Sequence, residues 1–153
     1  MTAVLEKGRS FRFLAKGFSM TPFIRNGDVV TISPFLGRRA NMGEVVAFIH
    51  PHNQGLAVHR IIGRRKSHYL IQGDNVPEAD GVVPERQLLG YVDRVERRGR
   101  TVNLGLGPER RVIALLNKKG WMFQLRFVLG RLLRPLRDRL HSRSDGAVSD
   151  EEK

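Results

Sequence analysis

The sequence predicts a mainly β domain, folded as a coiled sheet or barrel, followed by a basic amphipathic helix. Three observations predict it. Between residues 11 and 104, apolar and β-branched runs of four to nine residues recur at close spacing, each closed by Gly, Asn, Asp or Pro turn signals. After Arg110 the apolar spacing lengthens to three and four residues, the period of a helix. Hydrophobic residues make up 41% of 153, enough for one domain to bury a real core and carry a modest appendage.

The elements follow in order. Met1 to Ser10 is short and mixed, and is expected to be a flexible lead-in. Phe11-Arg12-Phe13-Leu14-Ala15 alternates large apolar with other residues, as a strand does. Phe23 to Asp28 reads as a short helical turn or loop. Its Asn26-Gly27-Asp28 is a turn signal ahead of the β-branched strand Val29-Val30-Thr31-Ile32-Ser33. A basic loop over 34–43 leads to strand Glu44–Ile49, and the polar turn 50–55 to strand Leu56–Gly63. Arg64 to Ser67 is a basic turn and Tyr69–Gln72 a short strand entering Gly73-Asp74-Asn75. Val76 to Glu85 holds two prolines and three acids and reads as a loop. Leu88–Glu96 returns as a strand, and Thr101–Leu104 extends the sheet. Six or seven strands with little helix make an all-β domain of barrel or folded-sheet type over 11–104.

From Arg110 the pattern is helical. Val112, Ile113, Leu115 and Leu116 precede a break at Gly120. Trp121, Met122, Leu125, Val128, Leu129, Leu132, Leu133, Leu136 and Leu140 then recur with arginines between them. The helical segment is expected over 110–141, kinked near Pro135, with a disordered acidic tail over 142–153.

Composition bounds the chemistry. Cysteine is absent, which excludes disulfides, a thiolate nucleophile and a cysteine-ligated zinc. No metal or cofactor is expected. The formal net charge is +12, and most of it lies between Arg97 and His141, where twelve Lys or Arg face only Glu109 and Asp138. Such a surplus attracts polyanions: nucleic acid, anionic lipid or acidic peptide. Met1 to Arg12 lacks the apolar core of a secretory signal, and no window holds the ~20 apolar residues of a spanning helix. The expectation is a cytoplasmic chain, or one peripheral at the inner face of the membrane.

One stretch carries candidate chemistry. Lys16-Gly17-Phe18-Ser19-Met20-Thr21-Pro22 sets a small hydroxyl between a glycine and a proline, directly after a strand. Such a turn can hold Ser19 at a fixed, exposed angle, although Ser-x-x-Pro is most simply loop punctuation. A serine hydroxyl needs a base to become a nucleophile. His50 and His52 fall in a turn, His141 in the helix and His68 just before a short strand. His59 is different: Val58-His59-Arg60-Ile61-Ile62 holds it within a strand, where a neutral imidazole can take and return a proton. A carboxylate that orients its other ring nitrogen completes such a base, and both Asp74 and Asp80 are placed to supply one. Taken singly, a strand histidine is usually a packing residue and an aspartate in Gly-Asp-Asn a turn former.

Together the pieces are recognisable. Gly17-Phe18-Ser19-Met20-Thr21-Pro22, Arg25-Asn26-Gly27-Asp28-Val29-Val30, Met42-Gly43-Glu44-Val45-Val46-Ala47-Phe48, Val58-His59-Arg60-Ile61, Gly73-Asp74-Asn75 with Asp80, and Leu89-Gly90-Tyr91-Val92 occur in that order. In this set, over about residues 11 to 97, the chain resembles the catalytic domain of the signal peptidase I superfamily. The resemblance implies a β-rich fold of coiled sheets with Ser19 beside a groove that takes an extended peptide by strand addition. His59 stands where the usual bacterial form has lysine. The likeness is therefore to the archaeal and endoplasmic-reticulum-type branch, which uses serine and histidine. That branch implies Asp80 as the third catalytic residue, with Asp74 structural and Gly17 and Met20 supporting the turn. Ser19's backbone N–H would be one oxyanion donor; where the family sometimes has a second hydroxyl, this chain has Gly17.

The resemblance implies a serine endopeptidase that cleaves a leader or signal-type segment of a protein substrate. Family members normally carry a spanning helix. Here the basic segment 121–140, with Trp121, Met122, Phe123 and Phe127, is suited instead to lying on an anionic membrane surface, or to packing on the β domain or a partner. Two alternatives belong to other classes. A self-cleaving repressor-type peptidase shares the serine-bearing fold but normally has lysine and a DNA-binding domain. A non-catalytic β domain could use its basic helix on lipid or nucleic acid, and nothing in that helix suggests base readout, which argues against nucleic acid.

Overall fold

The unbroken apolar run Val45-Val46-Ala47-Phe48-Ile49 decides the architecture, because a strand apolar at every position must be covered on both faces. In the computed structural model, which describes residues 2–121, that is what this strand does. It is β3 of eight strands: β1 (Phe11–Leu14), β2 (Val29–Ser33), β3 (Val45–Ile49), β4 (Leu56–Arg65), β5 (His68–Gln72), β6 (Gly81–Pro84), β7 (Leu88–Arg97) and β8 (Arg100–Thr101). Two helices frame them, α1 (Thr2–Glu6) and α2 (Arg110–Lys118), with a single 3-10 turn at Glu85–Gln87. All pairings are antiparallel, in the order β1-β2-β7-β3-β4-β5-β6, with β8 hairpinned onto β7.

Successive residues of β3 feed two cores. Val45 and Ala47 join Met20, Ile24, Val30, Ile32, Val92 and Val95 on one side. Val46 and Phe48 join Ile61, Tyr69, Ile71 and Val83 on the other. β4 breaks register between Ile61 and Gly63, a bulge of the kind that bends a strand.

Several expectations are corrected. The sheet is open, with β1 and β6 at its ends, so the barrel alternative does not hold. The lead-in contains a helix, α1, whose Leu5 is buried in the first core, an anchor that a mixed ten-residue segment does not announce. The expected loop 76–85 contains β6, which pairs with β5 from Ile71↔Gly81 to His68↔Pro84. Its proline is tolerated because the strand is outermost and its far edge needs no donor. Beyond β7 the paired strand is Arg100–Thr101; Val102 still donates its N–H to the Val95 carbonyl (2.8 Å), and Asn103 and Leu104 lie past the pairing.

Of the expected helical segment, α2 covers Arg110–Lys118 and buries Ile113, Ala114 and Asn117. Its first turn rests on Gly43, where a Cβ would meet the Arg110 carbonyl oxygen at 2.7 Å. The remainder of that segment from Met122, its kink at Pro135 and the tail 142–153 lie outside the described residues. No described helix is long and apolar enough to cross a membrane.

Candidate active site

The turn that follows β1 is held from two sides. At its base, the N–H of Ala15 donates to the Asp28 carbonyl (2.8 Å) and that of Gly27 to the Ala15 carbonyl (2.9 Å), closing residues 15–28 into a loop. Gly17 adopts φ +94°, a conformation that favours glycine, and its N–H donates to Asn26 Oδ1 at 3.1 Å. Behind the loop, Asp28 is 2% exposed and accepts two bonds from the Arg97 guanidinium, at 2.9 and 2.7 Å, and one from the Arg25 N–H at 2.8 Å. Burial raises the Asp28 carboxyl pKa, but the Arg97 hydrogen bonds, the Arg25 N–H and the two positive charges outweigh it and hold it below its ordinary value. Asn26-Gly27-Asp28 is thus more than a turn signal: its acid ties the serine loop to β7.

At the front, the loop after β5 grips the serine itself. Asn75 donates from its backbone N–H to the Ser19 carbonyl (2.7 Å) and from Nδ2 to the Phe18 carbonyl (3.0 Å). Gly73 permits the close approach, since a Cβ there would lie 2.8 Å from the Ser19 carbonyl oxygen and 3.2 Å from His59 Nε2.

These constraints bring together three side chains from distant parts of the chain. Ser19 Oγ lies 2.8 Å from His59 Nε2, and His59 Nδ1 lies 2.6 Å from Asp80 Oδ2. With Nδ1 protonated and donating to the carboxylate, Nε2 presents a lone pair to the serine hydroxyl. The His59 and Asp80 side chains are 12% and 8% exposed, so this polar chain is largely shielded from competing water. His59 sits on β4, paired with Val46 of β3, and Asp80 stands at the entry to β6 with its N–H bound to the Ile71 carbonyl (2.9 Å).

The other carboxylate considered for His59 goes elsewhere. Asp74 is fully buried with Arg60, which donates from Nε to Oδ1 at 2.8 Å and from Nη2 to Oδ2 at 2.7 Å. Asn117 of α2 adds a third bond to Oδ1 at 2.6 Å, and Arg60 Nη1 reaches the carbonyls of Gly43 and Gly105, both at 2.8 Å. Asp74 therefore braces the serine-gripping loop against the strand that carries His59. Met20 lies 4% exposed in the first core and forms part of the floor under the serine.

A cleft of about 380 Å³ opens beside Ser19, with Phe13–Gly17 on one bank, Leu56–His59 on the other and Met20, Ile24 and Val30 below. Both banks are strand edges. Antiparallel pairing alternates, so with Ala15 bonded to β2's side, Leu14 and Arg12 turn their backbone groups outward. On β4, Gly55 bonds to His50 and Ile61 to Glu44, which leaves the groups of Leu56 and Val58 facing away from β3. β5 pairs with β4 only from Arg60 onward, so among the described residues no strand covers that stretch of edge. Leu14, Phe18 and Leu56, at 57%, 69% and 45% exposure, add an apolar rim.

Two contributors escaped the sequence reading. Arg60 is a cation amid the apolar run Val58–Ile62, and such a residue signals a buried partner. His50, read only as a turn residue, places Nε2 3.3 Å from Asp80 Oδ1, a contact that nothing in its local sequence indicates. Among the described residues no cluster of His, Asp or Glu is arranged to hold a metal ion. The chain matches no known protein-family model, and no curated protein matches it.

Proposed function

We propose that this chain is a serine endopeptidase of the signal peptidase type, cleaving an extended segment of a protein substrate. The observation that carries the proposal is the continuous chain from Ser19 Oγ to His59 Nε2 (2.8 Å) and from His59 Nδ1 to Asp80 (2.6 Å), at the side of a cleft banked by two strand edges that no described strand covers. A peptide entering as an added strand bonds to the outward backbone groups of Leu14 and Arg12 on one side and of Val58 and Leu56 on the other. This lays its carbonyls along the cleft toward Ser19.

The reaction then follows from the groups present. Ser19 Oγ attacks the scissile carbonyl carbon while its proton passes to His59 Nε2, giving a tetrahedral oxyanion. The Ser19 backbone N–H is one donor to that oxygen. Asp80 stabilises the imidazolium, which hands its proton to the departing amine as the C–N bond breaks. Water, deprotonated by His59, attacks the acyl-serine; the proton returns to Ser19 and the acid is released. Strand addition reads the backbone, so the cleft accepts many sequences whose residues at the scissile bond fit an apolar floor.

The expected partner at the second site is an anionic membrane surface, met by the basic segment 121–140. Of this segment only Trp121, 53% exposed, is among the described residues. Flotation with anionic vesicles, comparing the full chain with one ended at 121, reads that part alone. The peptidase reading is tested with a fluorophosphonate, which needs only an activated serine. Expected are labelling at Ser19 and its abolition by Ser19→Ala and His59→Ala. Well-folded wild type that several such probes leave unlabelled refutes the reading.

A further inference from the structure

His50 stands outside the three residues above, yet its geometry joins them. We propose that His50 is a positioning residue for the catalytic site, clamping the Asp80 carboxylate so that its other oxygen stays on His59. The inference rests on the peptidase reading.

A carboxylate bonded through one oxygen can still rotate about its last torsion, which is soft. Asp80 Oδ2 meets His59 Nδ1 at 2.6 Å, and Oδ1 meets His50 Nε2 at 3.3 Å. The far nitrogen of His50 fixes the direction of that second contact. His50 Nδ1 accepts from the His52 N–H at 3.3 Å, so the neutral ring carries its proton on Nε2, the nitrogen that faces Asp80 Oδ1 at 3.3 Å. The polar contacts therefore run from His52 N–H through His50, Asp80 and His59 to Ser19.

The ring's position is itself constrained. His50 directly follows β3; its N–H donates to the Gly55 carbonyl (2.8 Å), and its carbonyl accepts from Gln54 N–H (2.9 Å). Phe48 packs at 6.1 Å, centroid to centroid, from both imidazoles, and sets their spacing. The His50 side chain is 19% exposed, so its contact with Asp80 is largely shielded from water. A tight turn with no role in the site could expose this histidine at no cost. Here one ring nitrogen accepts from the His52 N–H, and the other lies 3.3 Å from the oxygen of Asp80 that His59 does not take.

The test measures fluorophosphonate labelling of Ser19 in the full chain, with thermal melts to check folding. His50→Phe and His50→Ala should each lower the rate about tenfold, because Asp80 is then held through one oxygen alone, with the loss in the inactivation step rather than in probe affinity. His50→Gln, whose amide N–H can reach Oδ1, should keep most of the rate. In an Asp80→Asn background, His50→Phe should change the rate by less than about twofold, because its effect runs through the carboxylate. Nitrogen-detected imidazole spectra should show His50 protonated on Nε2, and a His59 Nδ1–H resonance that moves in His50→Phe.

Wild-type rates in folded His50→Phe and His50→Ala would overturn the proposal. So would a loss that His50→Gln fails to restore, or one that persists undiminished with Asp80→Asn. If wild-type Ser19 takes no label, the peptidase reading fails, and the imidazole spectra decide the clamp alone: a His59 Nδ1–H unmoved by His50→Phe overturns it.

Discussion

Replacing Arg60 with methionine tests whether the site is held from within the core. Arg60 and Asp74 are both fully buried and joined by two hydrogen bonds, at 2.8 and 2.7 Å. Methionine fills much of the volume and supplies no donor. The Asp74 carboxylate is left with Asn117 Nδ2 alone, and the Gly43 and Gly105 carbonyls lose their shared partner. Breaking a buried pair from one side costs about 3–5 kcal/mol, because a charge remains desolvated and unpaired. Against the 5–15 kcal/mol that typically separates folded from unfolded domains, that is a large fraction. At a typical urea slope, the midpoint should fall by about 2 M. Adding Asp74→Asn removes the orphaned charge yet keeps an acceptor for Asn117, so the double variant should recover at least about 1.5 kcal/mol. Urea melts of wild type, both single variants and the double variant complete the cycle. An Arg60→Met loss below about 1 kcal/mol, or a further loss on adding Asp74→Asn, would refute the reasoning.

Other outcomes follow from the same contacts. Gly73→Ala puts a methyl 2.8 Å from the Ser19 carbonyl oxygen, so the serine must shift; Ser19 labelling should fall about a hundredfold while melts change by 1–3 kcal/mol. Because Asp28 has a folded pKa below its ordinary 3.8, it contributes stability above that pH, lost as pH falls through the folded value. Asp28→Asn should therefore be less stable than wild type at pH 7, with the gap closing in urea melts taken progressively below that point. Met20→Ala removes a side chain 4% exposed and should cost about 2–5 kcal/mol by the same melts. Asp80→Asn should reduce labelling by up to about 10⁴-fold with little loss of fold, since His59 then loses the acceptor that sets its tautomer.

Much of the fold is legible locally. The alternation in Phe11–Leu14, the β-branched run Val29–Ser33 and the doubly apolar Val45–Ile49 each mark a strand, because side-chain period and burial are set by neighbours in sequence. What local pattern misses is whatever depends on a distant partner. α1 exists because Leu5 finds a pocket in the first core, and β6 because Val83 reaches the second beneath Tyr69 and Ile71. Gly81–Pro84 has neither the length nor the composition to advertise itself.

The same division runs through the site. A serine in a glycine–proline turn and a histidine inside a strand are visible in the chain, because backbone geometry there is local. Residue chemistry alone left Asp74 and Asp80 equally eligible to orient His59, since both lie in the loop after β5. Tertiary structure separates them. Arg60 follows His59 on β4, so its side chain takes the opposite face of the strand, draws Asp74 into the core and leaves Asp80 beside the imidazole. Local pattern marks most of the strands, the serine turn and the histidine within a strand. The family resemblance points to Asp80, and packing is what sets Asp80 rather than Asp74 against His59 and His50 against its other oxygen, because both contacts join side chains that meet across strands rather than along them.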